Sequence, residues 1–397
     1  MSGWIIHPTD GAGKINGKKI TAGVLILAMI LGIGGYAVLQ QPSKQQLGVD
    51  WSPTYHHDAA HTGYSTSTAP LTNQTLWTFP TENSIEYCSP AVVGGVVYVG
   101  SQDYNFYALN AATGDKIWNF VAPGPIKSSA SVVDGVVYFG SRDGKVYALN
   151  ATDGGELWNF TTGKDVYSSP VVVKGVVYVG SLDRHVYALD ASTGREIWNY
   201  TTSNVVYSNP AVVNGVVYVN SYDTAYALEA ATGAKIWNFT TIGPLFSSSA
   251  VVNNLDYFGS GNTVYALDAA TGKQVWKYTT GGTVESSPAA VNNVVYVGSD
   301  DKNVYALDAK TGDKLWHFAT GDIVDSSPTV AGGVVFVGSC DGNFYALNAS
   351  DGSKVWSYAT GSAVESFPSV ANGVVYVGSD DSNVYAFGSI SVSQPQP

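Results

Sequence analysis

Three groups of side chains in this sequence have the types and spacing for chemistry. The first is acidic. Glu285, Asp325 and Glu365 recur at one fixed interval, each directly before a Ser-Ser-Pro or Ser-Phe-Pro triplet. Asp300 and Asp380 follow the first and last of them at one shared, shorter distance. Carboxylates gathered in this way bind cations, or serve as the acid and base of glycoside hydrolysis when their separation is right. Sequence alone does not fix that separation. The second group is His56, His57, Asp58 and His61, all metal-ligating types, with His57 and His61 at the i, i+4 spacing of a helical pair. The stretch around them has no helical pattern, and packing of an irregular segment against the body explains the same residues. The third is the pair Cys88 and Cys340. No Ser-His-Asp set or glycine-rich phosphate loop stands out, so no catalytic residue and no metal site is assigned from the sequence.

The acids recur because the chain recurs. Tryptophans at 77, 118, 158, 198, 237, 276, 316 and 356 stand at nearly equal intervals. Between them the order is fixed: a Ser-Ser-Pro-like triplet, a Gly-Val-Val-Tyr-Val-Gly-Ser-like run, a Tyr-Ala-Leu segment, a Thr-Gly or Asp-Gly turn, then the tryptophan. Val-Val-Tyr-Val is continuously apolar, as in a strand covered on both faces. The Asp/Asn and Gly of the turn suit a hairpin. Each unit therefore reads as four short strands, and a ring of such units is a β-propeller. The last unit stops at Tyr385-Ala-Phe without its tryptophan strand, whereas Leu76-Trp77-Thr-Phe79 is a tryptophan strand with nothing before it. Joined, they make an eighth blade and close the ring. The expected fold is all-β, an eight-bladed propeller of four-stranded antiparallel blades, preceded by one transmembrane helix.

The pattern Ala266, Asp268, Thr271, Gly272 and Trp276, repeated in related form in six other units, resembles the tryptophan-docking motif of the pyrroloquinoline-quinone-like (PQQ-like, quinoprotein-like) β-propellers. The resemblance covers about residues 51 to 388. Trp51 to Gly63 also resembles a lead-in of prokaryotic exported members. The family implies eight blades, with tryptophan docking at Trp77, Trp118, Trp158, Trp198, Trp237, Trp276, Trp316 and Trp356. It includes quinoprotein alcohol dehydrogenases, which imply PQQ with calcium over one mouth of the ring, and the propeller lipoprotein of the outer-membrane assembly machinery. Many of the dehydrogenases have adjacent cysteines beneath the quinone; here Cys88 and Cys340 are far apart.

Positions that vary between otherwise equal repeats are where function would lie. The residue before each triplet reads, in blade order, Tyr87, Lys127, Tyr167, Tyr207, Phe246, Glu285, Asp325, Glu365. These should ring one mouth of the channel. A second variable position follows the Val-Val-Tyr-Val-Gly-Ser run and includes Arg142, Asp300, Cys340 and Asp380. Together they give an acidic crescent, an aromatic crescent and a cationic spot, a surface suited to a cationic peptide, a sugar or a metal ion. The aspartate that comes next, Asp103 in blade one, is nearly constant and is expected to bond its own turn.

Ile20 to Leu39 is an uncharged, mainly apolar run, long enough to span a bilayer, with Lys14, Lys18 and Lys19 before it. The expected organisation is a cytoplasmic segment 1–19, a transmembrane anchor 20–39, a linker and lead-in 40–75, the propeller 76–388 and a tail 389–397. A cleaved signal peptide ending near Ala37 is the alternative. Residues 1–44 hold 4 of the 19 basic and 1 of the 31 acidic side chains, leaving 15 against 30. That balance argues against nucleic acid as a partner. Six Asn-x-Ser/Thr sequons, at Asn73, Asn150, Asn159, Asn199, Asn238 and Asn348, fit an exported protein. The expected function is a membrane-anchored extracytoplasmic binding or scaffold module, with other cell-surface proteins or peptides as partners. The alternatives are a PQQ-dependent oxidoreductase and an envelope protein assembly factor.

Overall fold

The computed structural model describes residues 51–388. The expected cytoplasmic segment, transmembrane anchor and C-terminal tail lie outside the described residues. Among the described residues no helix is long and apolar enough to cross a membrane.

The repeats fold as eight antiparallel four-stranded sheets. In the first blade the strands are Ala91–Val93, Val96–Gly100, Asn105–Asn110 and Lys116–Val121, running from the channel outward. The innermost hairpin turns on two residues of positive φ, Gly94 and Gly95, which matches the twist of the flanking strands. The same pair of positive φ values recurs in all eight blades, and in the third it falls on Lys174 and Gly175. The two middle strands are covered on both faces by neighbouring blades, as their uninterrupted apolar runs require.

Blades are joined by the tryptophans. Trp118 on the outermost strand of blade one donates Nε1–H to Ala151 O of blade two at 3.0 Å, and Tyr98 donates to the same carbonyl at 3.2 Å. The indole lies flat on Gly154, where a Cβ would come within 2.6 Å of the ring. The carbonyl belongs to the outer hairpin turn, so the bonds satisfy a backbone group that the docked ring shields from water. Trp77, Trp158, Trp198, Trp237, Trp276 and Trp316 make the equivalent bond. Blade eight lacks that turn, and Trp356 of blade seven bonds Pro70 O of the lead-in instead, at 3.0 Å.

The ring closes as the split repeat requires. Thr75–Pro80 is the outermost strand of blade eight and pairs with Asn383–Phe387, with Trp77 opposite Ala386 and Phe79 opposite Val384. The lead-in does more than join. Its backbone bonds the innermost strands of six blades in turn: Ser52 to Val92, Pro53 to Val132, Ala59 to Val212, Ala60 to Val251, Thr62 to Ala290 and Gly63 to Val330. The Ser65 hydroxyl adds a seventh, to Val370. Tyr64–Ser65 adds a parallel fifth strand to Thr329–Ala331 of blade seven. The segment Ser52–Ser65 therefore lies across the channel as a floor.

Candidate functional site

Above that floor two girdles of the triplets hold the blades in register. The first triplet serine accepts the amide twelve residues on, as in Gly140 N–H to Ser128 Oγ at 3.0 Å. Cys88 takes this place in blade one, where its buried sulfur accepts from Gly100 and donates to Ser128 O. The second triplet residue links neighbouring blades. The amides of Ser89, Ser129, Ser169, Asn209, Ser248 and Ser287 each donate to the corresponding side chain of the next blade, at 2.5 to 2.9 Å. The chain of bonds runs from blade one to blade seven and stops at blade eight, where Phe367 replaces the serine.

Phe367 turns into the channel against Tyr55 of the lead-in, with ring centroids 5.4 Å apart. Tyr55 is buried, its hydroxyl 3.5 Å from Ser327 Oγ, and it stacks on His56 at 4.5 Å and meets His61 edge-on at 4.9 Å. Burial holds both histidines neutral, pushing His56 down to about 4 and His61 down to about 3. The helical pair considered for His57 and His61 does not form: the segment is irregular, with positive φ at His56, His57 and His61, and His56 and His61 pack against Tyr55. Among the described residues the metal-ligating side chains that come close together are different ones, Asp325, Cys340 and Glu365, with one ligand atom of each within 4.8 Å of the others.

The result is a blind, polarised cavity of about 230 Å³. Tyr87, Lys127, Tyr167, Tyr207, Phe246, Glu285 and Asp325 line it, with Tyr55, Phe367 and the girdle residues Ser169, Asn209, Ser248 and Ser287 below. Glu365, the eighth member of the variable ring, stands outside this lining, beside Cys340. The two variable rings interlock by a simple rule: the outer residue of one blade meets the inner residue of the next. Arg142 lies 5.4 Å over the Tyr167 ring, Tyr222 meets Phe246 edge-on at 5.4 Å, Asp300 faces Asp325, and Cys340 Sγ is 3.8 Å from Glu365 Oε1.

One half of the mouth is aromatic. Tyr167, Tyr207 and Phe246 form a chain of edge-on contacts at 5.6 and 5.4 Å. Lys127 lies over Tyr87 and Tyr167 at 5.3 and 5.8 Å and is ion-paired to Glu86. Arg142 is paired to Asp165 at 3.2 Å. Both cations of the mouth are thus already neutralised. The other half is acidic and under-compensated. Burial, then Glu285 and Asp300, push Asp325 up to about 8; burial, then Glu365, push Asp380 up to about 7. Burial and then neighbouring carboxylates raise Glu285 and Glu365 as well. Tyr87 alone among the eight inner-ring residues has positive φ, 56°, a costly conformation for a bulky residue.

The repeats match a known family throughout the ring. The family model described as outer membrane protein assembly factor BamB matches residues 63–169, 142–257, 225–326 and 319–390. The chain belongs to this family. Its propeller is similar to BamB from Moraxella catarrhalis, at 20% identity and a TM-score of 0.70, over 80% of this chain and 99% of that one. It is similar to the quinohemoprotein alcohol dehydrogenase of Comamonas testosteroni, at 17% identity and a TM-score of 0.72, over 87% and 82%. It is equally similar to the computationally designed protein Ika8, at 18% identity and a TM-score of 0.72, over 80% and 100%. An assembly factor, an oxidoreductase and a designed protein share the architecture, so function has to be read from the mouth. No curated protein shows a significant sequence match to the chain.

The dehydrogenase relatives imply PQQ with calcium; the mouth supplies carboxylates of the kind that hold calcium, but among its lining residues no unengaged basic side chain for the quinone's own carboxylates. That cofactor is a polycarboxylate, and Lys127 and Arg142 are already engaged by Glu86 and Asp165. Cys88 is buried in the girdle and Cys340 lies at the rim, both free, with no adjacent pair. The lead-in floor, Phe367 and the ion-pair partners Glu86 and Asp165 were not singled out in the sequence. Phe367 had a signal, as the single aromatic among eight equivalent triplet positions. Tyr55 had none, because the lead-in does not repeat.

Proposed function

We propose that this chain is an extracytoplasmic binding scaffold, held at the membrane by residues 20–39, whose propeller mouth takes a protruding segment of another envelope protein. The segment carries a basic side chain. The observation behind this reading is the convergence of the variable positions, which the fold leaves free, into one blind cavity with an aromatic half and an uncompensated acidic half. A lysine or arginine entering there meets Glu285 and Asp325 with its charge and Tyr207 and Phe246 with its stem, a pairing favoured by both Coulomb and cation–π attraction. Kinship with an assembly factor for outer-membrane proteins supports a protein partner.

The test is titration of the purified chain with short peptides that differ only in one lysine, its acetylated form, or a glutamate. The lysine peptide should bind, and Glu285→Gln with Asp325→Asn should weaken it at least tenfold, about 1.4 kcal/mol. Equal binding of the acetylated or glutamate peptide, or no effect of the double substitution, sinks the reading.

A further inference from the structure

We propose that Asp325, Cys340 and Glu365 bind a divalent metal ion of the zinc class in the wall of the mouth. One carboxylate oxygen each from Asp325 and Glu365 and the Cys340 sulfur lie within 4.8 Å of one another. They must close by about 1 Å to reach zinc bonds of ~2.0–2.3 Å. Asp325 is only 8% exposed, and its Oδ1 has no hydrogen-bond partner. Asp300 Oδ1 and Asp380 Oδ1, on either side, are likewise buried and unpartnered. Buried carboxylate oxygens normally find donors. Here Asp300 and Asp325 have only each other, the Tyr87 hydroxyl and the Cys340 thiol go to Glu365, and the nearby Lys127 is held by Glu86. A cation is the partner this wall lacks.

The repeats serve as an internal control. The position of Asp325 and Glu365 is Tyr, Lys or Phe in five other blades, and in those same five the position of Cys340 is Gln102, Arg142, Leu182, Tyr222 or Gly261; it is Asp300 in blade six and Asp380 in blade eight. The fold therefore does not demand an acid or a thiol at any of the three places, yet blades seven and eight set all three together. The sulfur decides the class of ion. Calcium and magnesium take oxygen ligands, whereas a thiolate selects zinc and softer ions. Three protein donors leave the fourth tetrahedral position for water or for an atom of a molecule in the cavity, the arrangement of reactive rather than closed zinc sites. The site shares Asp325 with the peptide reading, but Cys340 belongs to the metal site alone and the test uses a metal alone as ligand, so the two fail by different measurements.

The test uses the full chain with cadmium as a spectroscopic probe and zinc measured by competition with a chromogenic chelator. One cadmium per chain should give a thiolate-to-cadmium charge-transfer band that zinc displaces and a hundredfold excess of calcium does not. Cys88→Ser should keep the band. Cys340→Ser should abolish it, and both Cys340→Ser and Asp325→Asn should weaken zinc at least tenfold with near-ultraviolet circular dichroism unchanged. A band that survives Cys340→Ser, displacement by calcium, or unchanged zinc affinity in Asp325→Asn overturns the proposal. Asp325→Asn does not depend on the thiol, so it decides the matter even if the serine variant fails to fold.

Discussion

At the scale of single residues the eight near-identical blades act as controls for one another. Asp256 shows this most clearly. The other seven blades place valine there, at Val97, Val137, Val177, Val217, Val295, Val335 and Val375. Asp256 is fully buried, and burial pushes it up to about 7. Its blade also carries Ser249 where the others have proline or alanine, and the buried Ser249 hydroxyl is the side chain that faces the Asp256 carboxyl. One hydroxyl leaves most of a buried carboxyl's hydrogen-bonding capacity unmet, and unmet buried polar groups cost about 1–3 kcal/mol. The double substitution Ser249→Ala with Asp256→Val copies Ala130 and Val137 of blade two. It should raise the stability seen in urea unfolding by about 2 kcal/mol. A loss of stability would show that blade five keeps the acid for a contact the valine cannot make.

At the scale of elements the lead-in is the part that turns a ring into a receptacle. It bonds seven innermost strands and places Tyr55, His56 and His61 under the cavity. Both histidines titrate below their ordinary value because burial disfavours the imidazolium, and repulsion from His56 lowers His61 further. The unfolded chain thus binds more protons than the folded one, and stability rises with pH across this window. Stability should be complete above about pH 6.5 and fall as pH drops toward 4 and then 3. His56→Asn with His61→Asn should flatten the dependence of the urea midpoint between about pH 7 and pH 4.5; an unchanged slope would place the acid sensitivity elsewhere. This element also marks what the sequence could convey. Strands, turns and blade number were legible because each was written seven or eight times with a fixed period, and closure because the first and last units are complementary fragments of that period. The variable rings were legible as departures from that period, and the cavity gathers seven of the eight inner residues. The floor was not legible. A segment read once has no pattern to depart from, and His57 and His61 matched a helical spacing that their backbone does not adopt.

At the scale of the whole molecule, closure is the joint that differs from every other. In blades one to seven a turn ties the third strand to the fourth, as Asp268 to Gly272 does in blade five. In blade eight Thr75–Pro80 and Asn383–Phe387 meet by hydrogen bonds and packing alone. The sequence compensates at one residue. The Tyr-Ala-Leu segments end in leucine at 109, 149, 189, 228, 267, 307 and 347, but the eighth ends in Phe387. Its ring packs on Phe344, Trp356, Tyr358 and Tyr385 with centroids 4.7 to 5.8 Å away. Aromatic contacts of this kind contribute about 0.5–1.5 kcal/mol each beyond their buried area. The seam should still be the place where the ring first opens, since local openings draw on the least constrained contacts. Amide hydrogen exchange should find Val384, Tyr385 and Ala386 less protected than Val264, Tyr265 and Ala266 at the matching positions of blade five. Phe387→Leu restores the repeat residue and removes the ring. It should speed exchange at the seam roughly tenfold, about 1.4 kcal/mol, while blade five is unaffected. Equal protection at both places, or uniform loss after Phe387→Leu, would mean that the propeller opens only as a single cooperative unit.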